Sequence, residues 1–485
     1  MLKKLAGQTA IYGLSTIVGR FINYLLVPIQ TRTLNASQFG VVTGLYAYVS
    51  FFNILLTHGM ETSFFRFAEK RKNPDEAYGT ALRSVTWVSI GFLILSWLFS
   101  SQISELTGIG NQPWIVRMTA AIIALDAVSA IAFAKLRKEN KALRFALIKN
   151  LGIALNIILN LYFLMLCPYW HKTTGQLLPL FSGTPNPEMI FLSNLFASAL
   201  SFLALFPELR KIHNPAEKGL YKEMLSYAMP MMVVGFAGMI NETLDRILLI
   251  KLLPNQEDAL RLTGIYGANY KLSIIITLFI QAFKYAAEPF FFALGEKGEK
   301  KTIYADIMTL FVVVCLSIFL LVGLNIEFFK HFIGEEFHEG LQVVPVLLWA
   351  NIFLGIYYNL SIWYKLSDQT QKGAQIALIG AAITLVGNYL LIPQFGYFGS
   401  ALATLICYFL MMVIAYIWGM KYYPIPYETG KFIQYSVLSM VIYAIVRFFQ
   451  NSQAGSPMYY VYSITGLILF LSISIYRERK KFKHG

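Results

Sequence analysis

Runs of about twenty apolar residues recur along this sequence from near residue 10 almost to its end, separated by short stretches rich in Lys, Arg, Gly or Pro. A helix of about twenty residues just crosses a hydrocarbon core of about 30 Å, so the pattern dictates a chain that crosses a membrane many times. Composition agrees: 56% of the residues are hydrophobic and 14% charged, where a soluble domain carries roughly a quarter charged. A β-barrel needs segments of about ten residues that alternate polar and apolar, and these runs do not alternate. The expected fold class is therefore all-α, a polytopic membrane protein of about fourteen transmembrane helices.

The runs place spans over about 10–33, 40–60, 80–101, 114–134, 143–166, 188–207 and 224–252 in the first part of the chain. Further spans follow over about 263–286, 303–325, 341–364, 374–393, 397–420, 432–449 and 458–476. The turn between the eleventh and twelfth rests on Pro and Gly in IPQFGYFG, residues 392–399. The opening MLKKLAGQTAIYG has no small-residue cleavage site after a compact apolar stretch, so it reads as a retained first helix.

Charge fixes an orientation. The formal net charge is +14, but the cations sit in short loops, as topology determinants do, and nucleic acid is not an expected partner. Alternate loops contain RFAEKRK, KLRKENKALR, ELRKIHNPAEKGLYK, GEKGEKK and the tail RERKKFK. That set holds about 28 of the 40 Lys and Arg residues, the opposite set about 5. The positive-inside rule then places both termini in the cytoplasm. The longest outer loop, about 167–188, is Pro- and Gly-rich and too short for a domain.

Two segments six spans apart resemble each other. HGMETSFFRF carries Glu61 before Phe64 and Phe65, and YAAEPFFFAL carries Glu288 before Phe290, Phe291 and Phe292. QFGVVTGLYAY and RLTGIYGANY stand upstream of them at similar distances. A parallel pseudo-repeat follows: a lobe of six helices over 1–215, a second over 216–425, and a C-terminal helix pair with a basic tail over 426–485. Two such lobes can rock about a central cavity. Pro28, Pro230, Gly235 and Gly238 serve either as hinges or as packing residues.

Ionisable groups at membrane depth are costly unless paired or hydrated, so each is a functional candidate. Arg20 lies near the middle of the first span, with Asn23 one turn on. A guanidinium suits phosphate recognition in a cavity, and an ion pair with a neighbouring helix is the alternative. In NETLDR, Glu242 and Arg246 share a helix face and Asp245 precedes Arg246, with Lys271 at comparable depth. These could bind an anionic headgroup, carry a coupling ion or fix packing. Glu61 and Arg83 read as a pair, as interfacial groups close to water, or, with Glu288, as gating or coupling candidates. Asp126 and Lys149 are expected to neutralise each other across a hairpin. Arg117 and Arg447 read as interfacial snorkelling residues.

Enzymatic signatures of the GxxxxGK, HExxH and GxSxG types are missing from the sequence. Its six histidines are scattered, and Cys167, Cys315 and Cys407 have no metal-like spacing. The expectation is a protein that is not an enzyme and holds neither metal nor cofactor.

The opening GQTAIYGLSTIVGRFINYLLVPIQTRTLNASQFGVVTGLY resembles the start of the polysaccharide-biosynthesis flippases, which include the O-antigen flippases. ETSFFRFAEK, NETLDR and GIYGANYKLS followed by AAEPFF resemble the same family, in the same order and over nearly the whole chain. The resemblance implies a twelve-helix core of two lobes plus an extra pair. It also implies alternating-access transport of an undecaprenyl-pyrophosphate-linked oligosaccharide between the leaflets of a bacterial cytoplasmic membrane. In such proteins a cationic cavity receives the pyrophosphate and sugar, and Arg20 sits at a matching position in the first helix. Proton or sodium coupling follows by analogy only, since the first helix has no acidic residue. Expected partners are the lipid-linked oligosaccharide, membrane lipids and glycan-assembly proteins. Two other functions remain open: an ion-coupled exporter of small drugs or metabolites, and a membrane-embedded glycan polymerase or ligase. The short outer loops speak against the last.

Overall fold

The computed structural model describes residues 18–19, 21–210, 219–296, 301–450 and 456–482. Among the described residues every regular element is helical, because only a helix or a closed barrel satisfies its backbone inside hydrocarbon. Among the described residues twelve helices are long and apolar enough to cross a membrane. They are α1 Ala36–Lys70, α2 Pro74–Leu98, α3 Pro113–Lys138, α4 Ala142–Thr174, α5 Pro187–Ala204 and α6 Leu220–Leu252. The remainder are α7 Ile274–Phe292, α8 Thr302–Leu324, α9 Glu335–Leu366, α10 Thr370–Tyr422, α11 Thr429–Gln450 and α12 Pro457–Arg479. Of the first expected span, Arg20 and everything before Val18 lie outside the described residues. Its end is the short helix Val27–Thr33, restarted at Pro28.

Local chemistry sets the helix ends. Asn35 accepts from the Gln38 backbone N–H at 2.8 Å, and the Gln38 side chain accepts from the Asn35 N–H at 3.2 Å, a capping box that starts α1. Proline stands in the first turn of α2, α3 and α5, where its missing N–H costs nothing. Within α1 the ladder breaks at His58 and Gly59, both left-handed with φ 32° and 70°. A methyl group on Gly59 would lie 2.9 Å from the Ala228 carbonyl oxygen, and Ser63 Oγ donates to the Met224 carbonyl at 2.8 Å. The break therefore docks α1 onto the backbone of α6.

Span α10 is 53 residues long, about 80 Å at 1.5 Å per residue and far more than one crossing. Its backbone leaves helical geometry at Gly396, φ 56° and ψ −136°, three residues after Pro393. The chain doubles back there: Ser400 Oγ donates to Asn388 Oδ1 at 2.9 Å, and Cys407 Sγ reaches the Gly380 carbonyl at 3.3 Å. The turn expected over 392–399 is thus a tight hairpin, and α10 is two antiparallel arms rather than one span. Two other boundaries differ from expectation. Helix α4 runs on to Thr174 instead of ending near 166, absorbing Pro168 through a π-turn over Tyr162–Leu166. The span expected over 263–286 is two helices, Gln256–Leu272 and Ile274–Glu296, separated at Ser273.

Contacts divide the chain into Met1–Gly267 and Ala268–Gly485. This boundary of touching falls later than the repeat boundary drawn at 215, because α6 packs on α1. In the first unit a buried cluster including Met60, Phe64, Tyr78 and Ile131 joins α1, α2 and α3, with Met224 from α6. The start of QFGVVTGLYAY and the stretch 260–264, at the start of RLTGIYGANY, cross each other within this unit. A methyl on Gly40 would come 1.9 Å from the Leu260 carbonyl oxygen, and one on Gly264 1.9 Å from that of Ala36, so the backbones touch as only glycine permits. In the second unit α9 packs against both arms of α10, and α8 against α11 and α12. The last pair is joined at one end by Glu478, which accepts from Lys431 and from Tyr435 at 2.8 Å. At the other, Gln450 donates to Ser463 Oγ at 2.7 Å and to the Leu324 carbonyl at 3.0 Å.

Candidate functional site

Arg20 lies outside the described residues; the described end of the first span carries a chain of amides to α4. Asn23 accepts from Asn156 Nδ2 at 3.3 Å. Asn160, fully buried one turn further along α4, donates to the Asn156 carbonyl at 2.8 Å and accepts from Gln30 Nε2 at 3.1 Å. Four neutral amides thus join the end of the first span to α4, and the one that is fully buried, Asn160, has its polar atoms satisfied as burial requires. The sequence marked Asn23 alone; the i,i+4 spacing of Asn156 and Asn160 was the available signal for the rest.

Glu61 follows the break in α1 and forms an ion pair with Arg137 in the last turn of α3. Sequence reasoning offered Arg83 instead and missed Arg137, which it counted among loop cations. The helix runs through Lys138, and that extra turn carries Arg137 back against α1. In the second unit Glu288 pairs with Lys365 at 2.6 Å, in the last turn of α9. The two pairs join residues 76 and 77 positions apart. A ring pair recurs with them: Phe64 with Tyr78 at 5.8 Å, Phe291 with Tyr304 at 5.3 Å. The two stretches thus carry like contacts at like spacings.

Asp245 in α6 is buried, at 3% exposure, yet both its oxygens are satisfied. One accepts from Arg246 Nη1 at 3.0 Å, the other from Tyr266 O–H at 2.7 Å. Arg246 also donates to the Glu242 carbonyl, four residues back, at 2.5 Å. A buried carboxylate held by a guanidinium and a phenol is compensated, so Arg246 is charge-balanced where it stands. Tyr266 was not foreseen. Lys271, half-buried, lies in the last turn of Gln256–Leu272.

Asp126 and Lys149 do not meet as expected. Asp126 takes a hydrogen bond from Ser198 in α5, while the Lys149 ammonium lies over the Phe145 ring at 5.4 Å. Equal depth was the sequence argument, but depth leaves the azimuth open. On α5, Asn194 one turn from Ser198 donates to Tyr46 O–H at 2.9 Å, so a polar face of α5 serves both α1 and α3. Arg83 is half-buried in α2. Among the described residues no group of three or more His, Cys, Asp or Glu could hold a metal ion, and the three cysteines are buried thiols outside any disulfide.

What this arrangement can do is keep charge at membrane depth by pairing it, at span ends that adjoin basic loops. Comparison with known proteins gives the context. The solved structure of the lipid II flippase MurJ in an inward closed conformation matches 97% of this chain and 99% of its own, with TM-score 0.76 and 13% identity. An inward-facing multidrug resistance transporter of the MATE family, in the MOP superfamily, matches 82% of this chain and 93% of its own, with TM-score 0.65 and 13% identity. At such identity these likenesses establish the fold, a multi-pass architecture used by flippases and transporters. An uncharacterized membrane protein of Methanocaldococcus jannaschii is 26% identical over 218 residues, 43% of this chain. The aligned part spans about two fifths, 41%, of that relative's length. The model of the family described as polysaccharide biosynthesis protein matches residues 5–294, more than half of the sequence, and the chain belongs to that family.

Proposed function

We propose that this protein moves a lipid-linked oligosaccharide, carried on undecaprenyl pyrophosphate, from the inner to the outer leaflet of a bacterial cytoplasmic membrane by alternating access. The observation that carries this reading is membership of a polysaccharide-biosynthesis family on a fold used by flippases. A multidrug transporter shares the fold, so the fold does not choose between a glycan lipid and a drug; the family favours the glycan lipid.

The physical task fits such a chain. A hydrated glycan and its diphosphate cannot cross hydrocarbon unaided, while the prenyl tail can remain in lipid. Arg20, unlike Arg246, has no acidic residue near it in its own span, and its planar fork matches a diphosphate. In this reading Arg20 and Asn23 receive the headgroup, with Arg246 and Lys271 as secondary cations. Glu61, Arg83, Glu242, Asp245 and Glu288 are the groups whose pairing changes as access alternates. Both termini face the cytoplasm, as the loop charges demand.

The test is replacement of Arg20 by Ala in a strain that depends on this protein for a surface glycan. Surface glycan is expected to fall at least tenfold, lipid-linked precursor to accumulate on the inner leaflet, and protein abundance in the membrane to stay normal. Unchanged surface glycan removes Arg20 from the mechanism. Loss of the whole gene without precursor accumulation removes the glycan-lipid assignment.

A further inference from the structure

The close crossing of α1 with the helix Gln256–Leu272 leaves an open cleft beside it. Gly40 and Gly264 bring the two backbones into contact, and Ser37, Gln38 and Leu260 from these helices line the cleft. The starts of α3 and α5 contribute Gln112, Asn186 and Glu188. All of these residues belong to the first unit. The free space is about 300 Å³, at the lower end of the range of about 300–1,000 Å³ for small-molecule sites.

Local structure uses only part of each polar side chain here. Gln38 accepts from the Asn35 N–H through Oε1 at 3.2 Å, which leaves its amide N–H groups. Gln112 donates through Nε2 to the Ile109 carbonyl at 2.9 Å, which leaves its Oε1. Asn186 stands at the N-cap of α5, yet its side chain caps no backbone N–H. Its Nδ2 donates to Ser182 Oγ at 3.1 Å, and its Oδ1 is buried with no hydrogen-bond partner among the described residues. An orphan acceptor of this kind calls for a donor that the chain does not supply. Among the described residues that line the cleft only Glu188 is charged. It is half-buried in the first turn of α5, where free backbone N–H groups favour an anion.

This inventory selects a class of ligand. A phosphate would meet Glu188 and no cation among the lining side chains. A metal ion or an ammonium group would meet one carboxylate set among amide N–H groups. A hydroxyl both donates and accepts, so adjacent hydroxyls on a ring match acceptors at Gln112 and Glu188, a donor at Gln38 and a hydroxyl at Ser37. Val41, Pro187 and Leu260 offer apolar surface to the C–H face of such a ring.

We propose that this cleft binds a neutral sugar ring through its hydroxyl groups, with Glu188 and Gln112 as acceptors and Gln38 as donor. The cleft lies at the starts of α1, α3 and α5, whereas the basic stretches RFAEKRK, KLRKENKALR and ELRKIHNPAEKGLYK adjoin their far ends; loop charge makes its side the outer one. Its part in transport rests on the glycan-lipid reading: the cleft receives the sugar end of the load as it reaches the outer leaflet. The binding chemistry stands apart from that reading.

Saturation-transfer NMR on the purified full-length protein in phosphatidylcholine nanodiscs tests this, with glucose, galactose, rhamnose and N-acetylglucosamine as probes. At least one of them is expected to receive saturation at its ring protons, and Glu188→Ala and Gln112→Ala are each expected to weaken its apparent affinity about tenfold. Glu188→Gln keeps an acceptor and is expected to recover part of that loss; equal loss in both Glu188 variants, with a lowered Tm, traces the effect to the start of α5 and overturns the site. Glu105→Gln alters an exposed carboxylate on the same side, in the helix Ser100–Thr107, and is expected to leave the affinity unchanged. Saturation of none of the sugars, binding undiminished in Glu188→Ala and Gln112→Ala, or displacement by inorganic phosphate overturns the site as well. The two readings fail separately. Absent sugar binding, with lipid-linked precursor still accumulating when the gene is lost, sinks the cleft alone; sugar binding without that accumulation keeps the cleft and sinks the transport of a glycan lipid.

Discussion

A carboxylate near the end of a membrane span needs a cation close by, and at Glu61 that cation is Arg137. Both side chains keep about a third of their surface, 39% and 34%, so solvent screens the pair and its coupling energy is about 0.5–1 kcal/mol. A double-mutant cycle with Glu61→Gln and Arg137→Gln, read by denaturation in detergent, should return that coupling. Additive losses would show that each residue acts separately. The glycines of the close crossing are less forgiving. Gly40→Ala or Gly264→Ala must push a backbone carbonyl aside and should cost about 1–3 kcal/mol, whereas a methyl on Gly238 meets nothing within 4 Å. Gly238→Ala is therefore expected to leave the Tm unchanged or slightly raised, and an equal loss at all three sites would refute the contact-based account. At this scale the sequence showed which residues are charged at depth, and it could not show which way they point. Asp126 turning to Ser198 and Glu61 turning to Arg137 are both matters of azimuth, which apolar runs do not encode.

Elements were far easier to read, because the rule behind them is one-dimensional: enough apolar residues in a row must span. The departures all lie where the backbone is bent without leaving the apolar run. Helix α4 carries Pro168 through a π-turn and continues to Thr174, so a proline that reads as a terminator is absorbed. Ser273 interrupts a run that looks continuous. The hairpin in α10 was visible because Pro393 and Gly396 stand together. Gly396 has φ 56° and ψ −136°, and a side chain there would meet no other atom within 4 Å. Its role is thus conformational alone, and Gly396→Ala should destabilise by about 1–3 kcal/mol through backbone strain. Thermal unfolding in detergent would measure this, with Gly430→Ala, at a position also open in space, as the reference. A null effect at Gly396 would mean the hairpin tolerates another turn geometry, with Asn388 and Ser400 holding its arms by themselves.

For the whole molecule, charge between the spans does what shape does for a soluble protein: it fixes which side is which. Family and fold were readable from residue order because motifs were spread over nearly the entire chain, whereas the candidate site was only partly readable, since its members gain meaning from partners such as Asn156, Tyr266 and Lys365. Orientation can be tested with little background, because Cys167, Cys315 and Cys407 are all buried. Single cysteines at the exposed positions Ser182, Glu257, Lys141 and Asp368 divide into two expected sets. Ser182→Cys lies in a loop and Glu257→Cys in the first turn of the helix Gln256–Leu272, both in stretches poor in Lys and Arg, and both should react with a membrane-impermeant maleimide in intact cells. Lys141→Cys and Asp368→Cys lie in or beside basic loops and should react only after permeabilisation. The positive charge is spread over five separate stretches, so removing one cation changes the bias little, and the same division is expected in every single-cysteine variant. Labelling of Lys141→Cys in intact cells would invert the orientation, and with it the direction of transport read from the basic face. Labelling of all four would mean that the segments between them do not alternate across the membrane as their lengths require.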